Sequence, residues 1–150
     1  SPVTLITAVE KTSIPGIKKN KVDEHSSISV SKLPRSVRNI EIFIEVSGSY
    51  TPTAHYVWIE DRAYTLTVEL MSTPVIWKTA GIGSKEQVDT IVKSSQNKVW
   101  RLIPKKEQIV SRAKKPALKS NQLSLVYSVN GRRLSSSPIG IRKLAEDILQ

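Results

Sequence analysis

Branched apolar residues alternate with polar ones along much of this chain, and the commonest period is two. Ile40, Ile42, Ile44 and Val46 share one face of a segment from Arg38 to Ser47, with Glu41, Phe43 and Glu45 on the other. Burying four such side chains contributes about 1.5–3 kcal/mol each before chain entropy is set against it, so this segment reads as a central strand. After the Gly48 to Pro52 turn, His55 to Glu60 and Ala63 to Met71 read as paired strands joined around Asp61-Arg62, with Tyr64, Leu66, Val68 and Leu70 on one face of the second. Val3 to Val9 and Pro74 to Lys78 have the same branched or aromatic character, and Ile28 and Val30 suggest an edge strand stopped by Leu33-Pro34.

Two stretches change period. Ser84 fits a helix N-cap with Gln87 completing a capping box, and Val88, Ile91 and Val92 recur at helical spacing, which predicts an amphipathic helix over 84–95. Ser137-Pro138 fits a cap and first helical position, and Ile141, Leu144, Ala145, Ile148 and Leu149 draw one apolar stripe, which predicts a second helix over 138–149. Between them, Val99 to Ile103 is strand-like up to Pro104. Leu123 to Val129 and Arg132 to Ser135 flank Asn130-Gly131, the strongest short hairpin signal. The resulting expectation is a single α+β domain over 1–150, mostly antiparallel sheet with two helices and an N-terminal arm over 1–27.

Charge adds what periodicity does not. The chain has 150 residues and a formal net charge of +10. Lys98 to Lys119 holds eight cations against a lone anion, Glu107, so the last third is basic while the first two thirds are close to neutral. Such a field speaks to partners rather than to fold, because it attracts phosphate polymers or anionic surfaces. The candidate anion-binding residues are Lys98, Trp100, Arg101, Lys105, Lys106, Arg112, Lys114, Lys115, Lys119, Arg132 and Arg133, with Trp100 offered for stacking on a base or at a membrane interface. Arg142-Lys143 could extend the same face. Phe43, Trp58, Tyr64 and Trp77 fall inside strands and read as core. The chain is 5% aromatic and shows no RNP, KH or zinc-finger pattern, which argues against sequence-specific reading.

Catalytic and metal chemistry leave no comparable mark. The chain has no cysteine, and its two histidines, His25 and His55, lack a ligand spacing, so no metal or cofactor is expected. No G-x-S-x-G elbow is present. Glu60-Asp61 reads as a turn, and Gly81 to Lys85 as a turn and cap that matches neither the phosphate-loop nor the dinucleotide fingerprint. No apolar run approaches the roughly 20 residues that span a bilayer, and the start is not a secretory signal, so the chain is expected inside a cell (cytoplasm or nucleus) or a virion and not across a membrane. Ser1 in place of Met reads as processing or as a piece of a longer chain.

These readings point to a non-enzymatic structural or assembly protein that holds nucleic acid or ribonucleoprotein through its basic C-terminal third and self-associates as a homo-oligomer. The profile is that of small basic matrix-like or nucleoprotein-associated proteins of viruses. Alternatives are a peripheral protein on anionic membrane, using the same patch, and a nuclease or nucleotide-binding enzyme of another kind.

Overall fold

Ile40, Ile42, Ile44 and Val46 lie fully inside the molecule, on a strand with a neighbour on each side. The computed structural model describes residues 2–11, 33–79 and 87–144. In chain order these form β1 (Val3–Glu10), α1 (Arg35–Arg38), β2 (Ile40–Val46), β3 (Thr53–Ile59), β4 (Arg62–Met71), β5 (Val75–Thr79) and β6 (Gln87–Val92). β7 (Lys98–Gln108), β8 (Gln122–Val129), β9 (Arg132–Ser135) and β10 (Ile139–Lys143) follow, with a 3-10 turn at Arg112–Lys114. Seven strands close a barrel in the order β1, β2, β7, β4, β3, β8, β10, and back to β1. β9 adds to β8 as a hairpin, while β5 and β6 pair with each other outside the ring.

The barrel interior is a continuous apolar core in which the β2 isoleucines meet Val57, Leu102, Leu123 and Leu125 from β3, β7 and β8. Two satellites cover the outside. The β5–β6 hairpin lays Ile91, Val92 and Trp77 over Val9, Phe43 and Val99, and Lys11 sits 4.9 Å above the Trp77 ring. The connection after β7 brings Val110 and Leu118 onto Tyr56, Trp58 and Val126. Phe43, Trp58 and Tyr64 are buried as expected, and the Asn130-Gly131 hairpin forms with both residues at positive φ, 57° and 73°.

The described residues are thus nearly all β, which corrects the α+β expectation and its two helices. Gln87–Val92 is a strand antiparallel to β5. A register shift between Val75 and Ile76 sets Val75 opposite Val92 and Ile76 opposite Thr90, so the bulge lets the consecutive Ile91 and Val92 both turn inward. Two adjacent apolar residues then imitate helical spacing, although Val88, the third member of that stripe, is 53% exposed. Residues 84–86 lie outside the described residues. Ile139–Lys143 is a strand too, parallel to β1 (Ala8 opposite Ile141) and antiparallel to β8 (Ile139 opposite Leu123). Ile139 and Ile141 pack on the core while Gly140 between them and Arg142 after them are exposed, a period of two in β-branched residues. Residues 145–149 of that predicted helix lie outside the described residues, as do Ile28, Val30 and residues 12–27 of the arm. The start of the arm is a barrel strand.

Pro104 does not end its strand either. β7 runs on to Gln108, with Pro104 opposite Leu66 where the β4 register shifts. Proline lacks a donor, and a bulge is where a ladder tolerates that. The Thr65 hydroxyl steps in for the interrupted ladder by accepting from the Lys106 N–H at 3.2 Å and donating to the Lys106 carbonyl at 3.3 Å.

Candidate functional site

Because β7 crosses the whole wall of the barrel, the basic tract is distributed along it rather than gathered. Lys98 stands opposite Val46 at one rim. Trp100 lies on the inward face, packed against the core, and its indole nitrogen is buried with no hydrogen-bond partner in the structure. Arg101 points outward between two carboxylates, hydrogen-bonded to Glu69 and 3.7 Å from Glu41, which leaves little of its field for a ligand. Lys105 and Lys106 are exposed beyond Pro104. Lys119 is exposed at the foot of β8, where its N–H donates to the Gln122 side chain at 3.0 Å.

The connection between β7 and β8 carries the rest. Ser111 caps the 3-10 turn through its hydroxyl, which places Arg112 and Lys114 outward and exposed. Lys115 is hydrogen-bonded and ion-paired to Asp61, and that contact holds the Asp61 carboxyl below its ordinary range. Arg112 and Arg62 push it the same way. Arg142 is paired at 3.1 Å with Asp89 of β6, so it clamps the outer hairpin instead of extending a basic face. Among the described residues, Lys98, Lys105, Lys106, Arg112, Lys114, Lys119, Arg132 and Arg133 have no ion-pair partner.

Two of these eight converge. Lys114 and Arg133 line one cleft of about 400 Å³ on the outer face of β3, β8 and β9, and none of its lining residues is acidic. Tyr56 and Trp58 form its floor, edge to face with ring centroids 6.2 Å apart. Arg133 lies 5.9 Å above the Tyr56 ring, a cation over a π face that also fixes where its guanidinium sits. Three serines complete the wall. Buried Ser124 donates to the Ser136 carbonyl at 2.8 Å, and the Ser136 hydroxyl accepts from the Leu125 N–H at 2.8 Å, leaving the Ser136 hydroxyl proton available to an acceptor in the cleft. Beside them, the His55 ring nitrogen Nε2 is 2.7 Å from the Ser128 hydroxyl. Burial first, and then the Arg133 charge, hold that imidazole below its ordinary range.

The floor rings are 6% and 3% exposed. They shape the cleft without offering a free face, so what it presents is two cations and hydroxyl groups, a set suited to phosphate oxygens rather than to bases. Charge in the sequence pointed to Lys114 and Arg133 but not to their partners, since Tyr56, Trp58 and the serines come from distant segments. The only local hint was Ser135-Ser136-Ser137 following the hairpin.

Comparison with known proteins finds no match. No family model fits the chain, and no curated protein or solved structure resembles it closely enough to count. Among the described residues no three His, Cys, Asp or Glu side chains gather as a metal site. No helix among them is long and apolar enough to cross a membrane. Gly81 to Lys85 and His25 lie outside the described residues. Glu60-Asp61 is a turn, with Glu60 at a φ of 56°.

Proposed function

We propose that the protein is a non-enzymatic nucleic-acid-binding protein of structural or assembly type, one that holds the phosphate backbone with low sequence specificity. The observation that carries this reading is the carboxylate-free cleft in which Lys114 and Arg133 meet the Ser136 hydroxyl. Arg112 stands on the same connection as Lys114, and Lys105 and Lys106 precede it, so a polymer seated in the cleft has further cations within its contour. With Tyr56 and Trp58 buried and Trp100 turned inward against the core, affinity comes from counterion release, which is indifferent to base sequence. Self-association belongs to the same proposal. Of the two routes expected for it, sheet edges and a terminal helix, the helix over 138–149 loses residues 139–143 to the barrel, which leaves the edges.

The test is fluorescence anisotropy with a labelled 20-nucleotide single strand across a salt series. Neutralising five to eight phosphates gives a log–log salt slope of about −4 to −6 for a single strand. Binding that stays flat between low and physiological salt overturns the proposal. The double variant Lys114→Ala, Arg133→Ala weakens binding and reduces the slope by about 1.4, whereas Lys98→Ala, on β7 and separated from β8 by β4 and β3, changes either far less.

A second reading has an observation of its own. Ile109 is 97% exposed and follows Lys105 and Lys106, with Arg112 three positions on. An apolar side chain among cations suits an anionic bilayer surface, where each cation contributes about 1 kcal/mol. Co-sedimentation with anionic but not neutral vesicles, reduced by Ile109→Ser, supports that reading, and equal partition to both removes it.

A further inference from the structure

β4 outruns the strand beside it. On one flank it is paired with β7 from Ala63 to Met71, but on the other β3 meets it only at Arg62, Ala63 and Tyr64. From Leu66 to Met71 that second flank has no backbone partner among the described residues. Both faces of the stretch are open as well, since Thr67, Val68, Glu69 and Leu70 are all exposed. Leu66 packs on the barrel core. Val68 and Leu70 follow it on the same face at 38% and 54% exposure, two apolar side chains beside an unused edge.

The direction of the free backbone groups follows from the turn. Glu60-Asp61 is a two-residue turn, so Ile59 and Arg62 exchange both of their backbone hydrogen bonds, and alternate residues after Arg62 point their N–H and C=O the same way. The irregularity near Leu66 puts its extra residue in β7, where the three steps from Glu107 to Pro104 match two in β4, so β4 keeps its alternation. Pro104 agrees with this, because it stands opposite Leu66, whose groups point away and ask no donor of it. Leu66, Val68 and Leu70 therefore turn three N–H and three C=O groups toward the open flank.

We propose that this flank of β4 is where the chain joins a second copy of itself, strand to strand and antiparallel about a two-fold axis at Val68. An axis there sets Val68 against its counterpart and Leu66 against the copy's Leu70, so every free group of the three residues is used and apolar side chains meet apolar ones. An axis at Thr67 would call on Tyr64, which is already bound to Val57, and an axis at Glu69 would set two carboxylates directly opposite each other. Charge also favours a copy here. Two chains of net +10 repel, so they meet most readily at a neutral edge, and between Thr65 and Met71 the strand carries only Glu69, which Arg101 neutralises. Lys98, Lys105 and Lys106 stand a strand further back, on β7. A ladder of about five residues is small for a permanent interface, so the pairing depends on concentration. The assignment deepens the self-association part of the proposed function and rests on it, while the cleft of Lys114 and Arg133 takes no part.

The experiment is sedimentation velocity of the full chain over a concentration series, joined to disulfide trapping in a chain that has no cysteine of its own. The expected result is a dimer whose share grows with concentration. Val68→Glu, at an exposed position on the axis, weakens it about tenfold or more because two carboxylates face each other. Its melting temperature, measured at a dilution where both proteins are monomers, stays that of the native chain. Under mild oxidation Val68→Cys forms a covalent dimer, since Cα atoms about 5.5 Å apart on the axis can be bridged, whereas Leu70→Cys does not, although Leu70 is the more exposed. Trapping at Leu70 equal to or above that at Val68 reports random collision and overturns the proposal. A dimer indifferent to Val68→Glu also overturns it, and leaves self-association to another edge. A monomer throughout the series overturns both this assignment and the self-association reading. A nine-residue peptide alternating valine and threonine that protects the amides of Leu66–Leu70 from hydrogen exchange, while the chain stays monomeric, gives the flank to a partner's strand instead and overturns the assignment to a second copy. Salt-dependent oligonucleotide binding is read separately on Val68→Glu, so a failed dimer and a failed cleft are told apart.

Discussion

Arg101 and Lys115 show how a formal charge can be spent inside the molecule. Each is a cation in a basic run, yet each is held by a carboxylate from a strand or turn far away in sequence, Glu69 and Asp61. Asp61→Asn should therefore release Lys115 to a ligand and strengthen oligonucleotide binding about twofold, with a salt slope steeper by about 0.7. The same pair has a pH signature. The Asp61 pKa is lower in the folded state, so its contribution is present above the unfolded carboxylate pKa and is lost as pH falls through the folded value. His55 behaves as a partly buried base. Its folded pKa is also lowered, so the unfolded chain takes up a proton first, and stability declines as pH drops below about 6.5 toward the folded value. Melting curves between pH 8 and 5 should show a shallower decline for His55→Gln, which keeps a hydrogen-bonding group for Ser128, than for the native protein. Trp100 allows a third check. In a variant carrying Trp58→Phe and Trp77→Phe, Trp100 is the remaining tryptophan, and its inward position predicts emission that oligonucleotide does not change.

At the scale of elements, strands announced themselves where alternation was unbroken and a turn residue was obligatory. The isoleucine face of β2 and the Asn130-Gly131 turn are examples, and each is set by local stereochemistry. Bulges defeated the reading elsewhere. At β6 an extra residue placed Ile91 and Val92 on the same side, and at β7 a bulge carried the strand through Pro104. Neither is visible in one segment alone, because a bulge is a property of two paired strands. The Thr65 bridge to Lys106 gives this a number: Thr65→Val should cost about 1 kcal/mol in urea denaturation, as two exposed hydrogen bonds are lost and a ladder gap remains. At β2, Ile44→Ala should cost about 2–5 kcal/mol, because the site lies inside a closed ring that cannot collapse around the cavity.

For the molecule as a whole, what sequence left out was closure. The alternating faces of β2, β4 and β8 are compatible with an open sheet, a sandwich or a barrel, and the choice rests on β10 pairing with both β1 and β8. A stripe that resembled a helix was in fact the closing stave. Candidate residues were legible as chemistry but not as place, since a strand that spans the wall spreads its cations from rim to rim. The same parallel pairing of β1 with β10 has a kinetic side. Ala8 and Ile141 are separated by most of the chain, so the entropy of closing that loop predicts that the ring shuts late, with this contact among the last to be made. Until that moment the first strand has half its backbone bare, and a nascent chain would be at its most vulnerable to sister chains just before the final stave arrives.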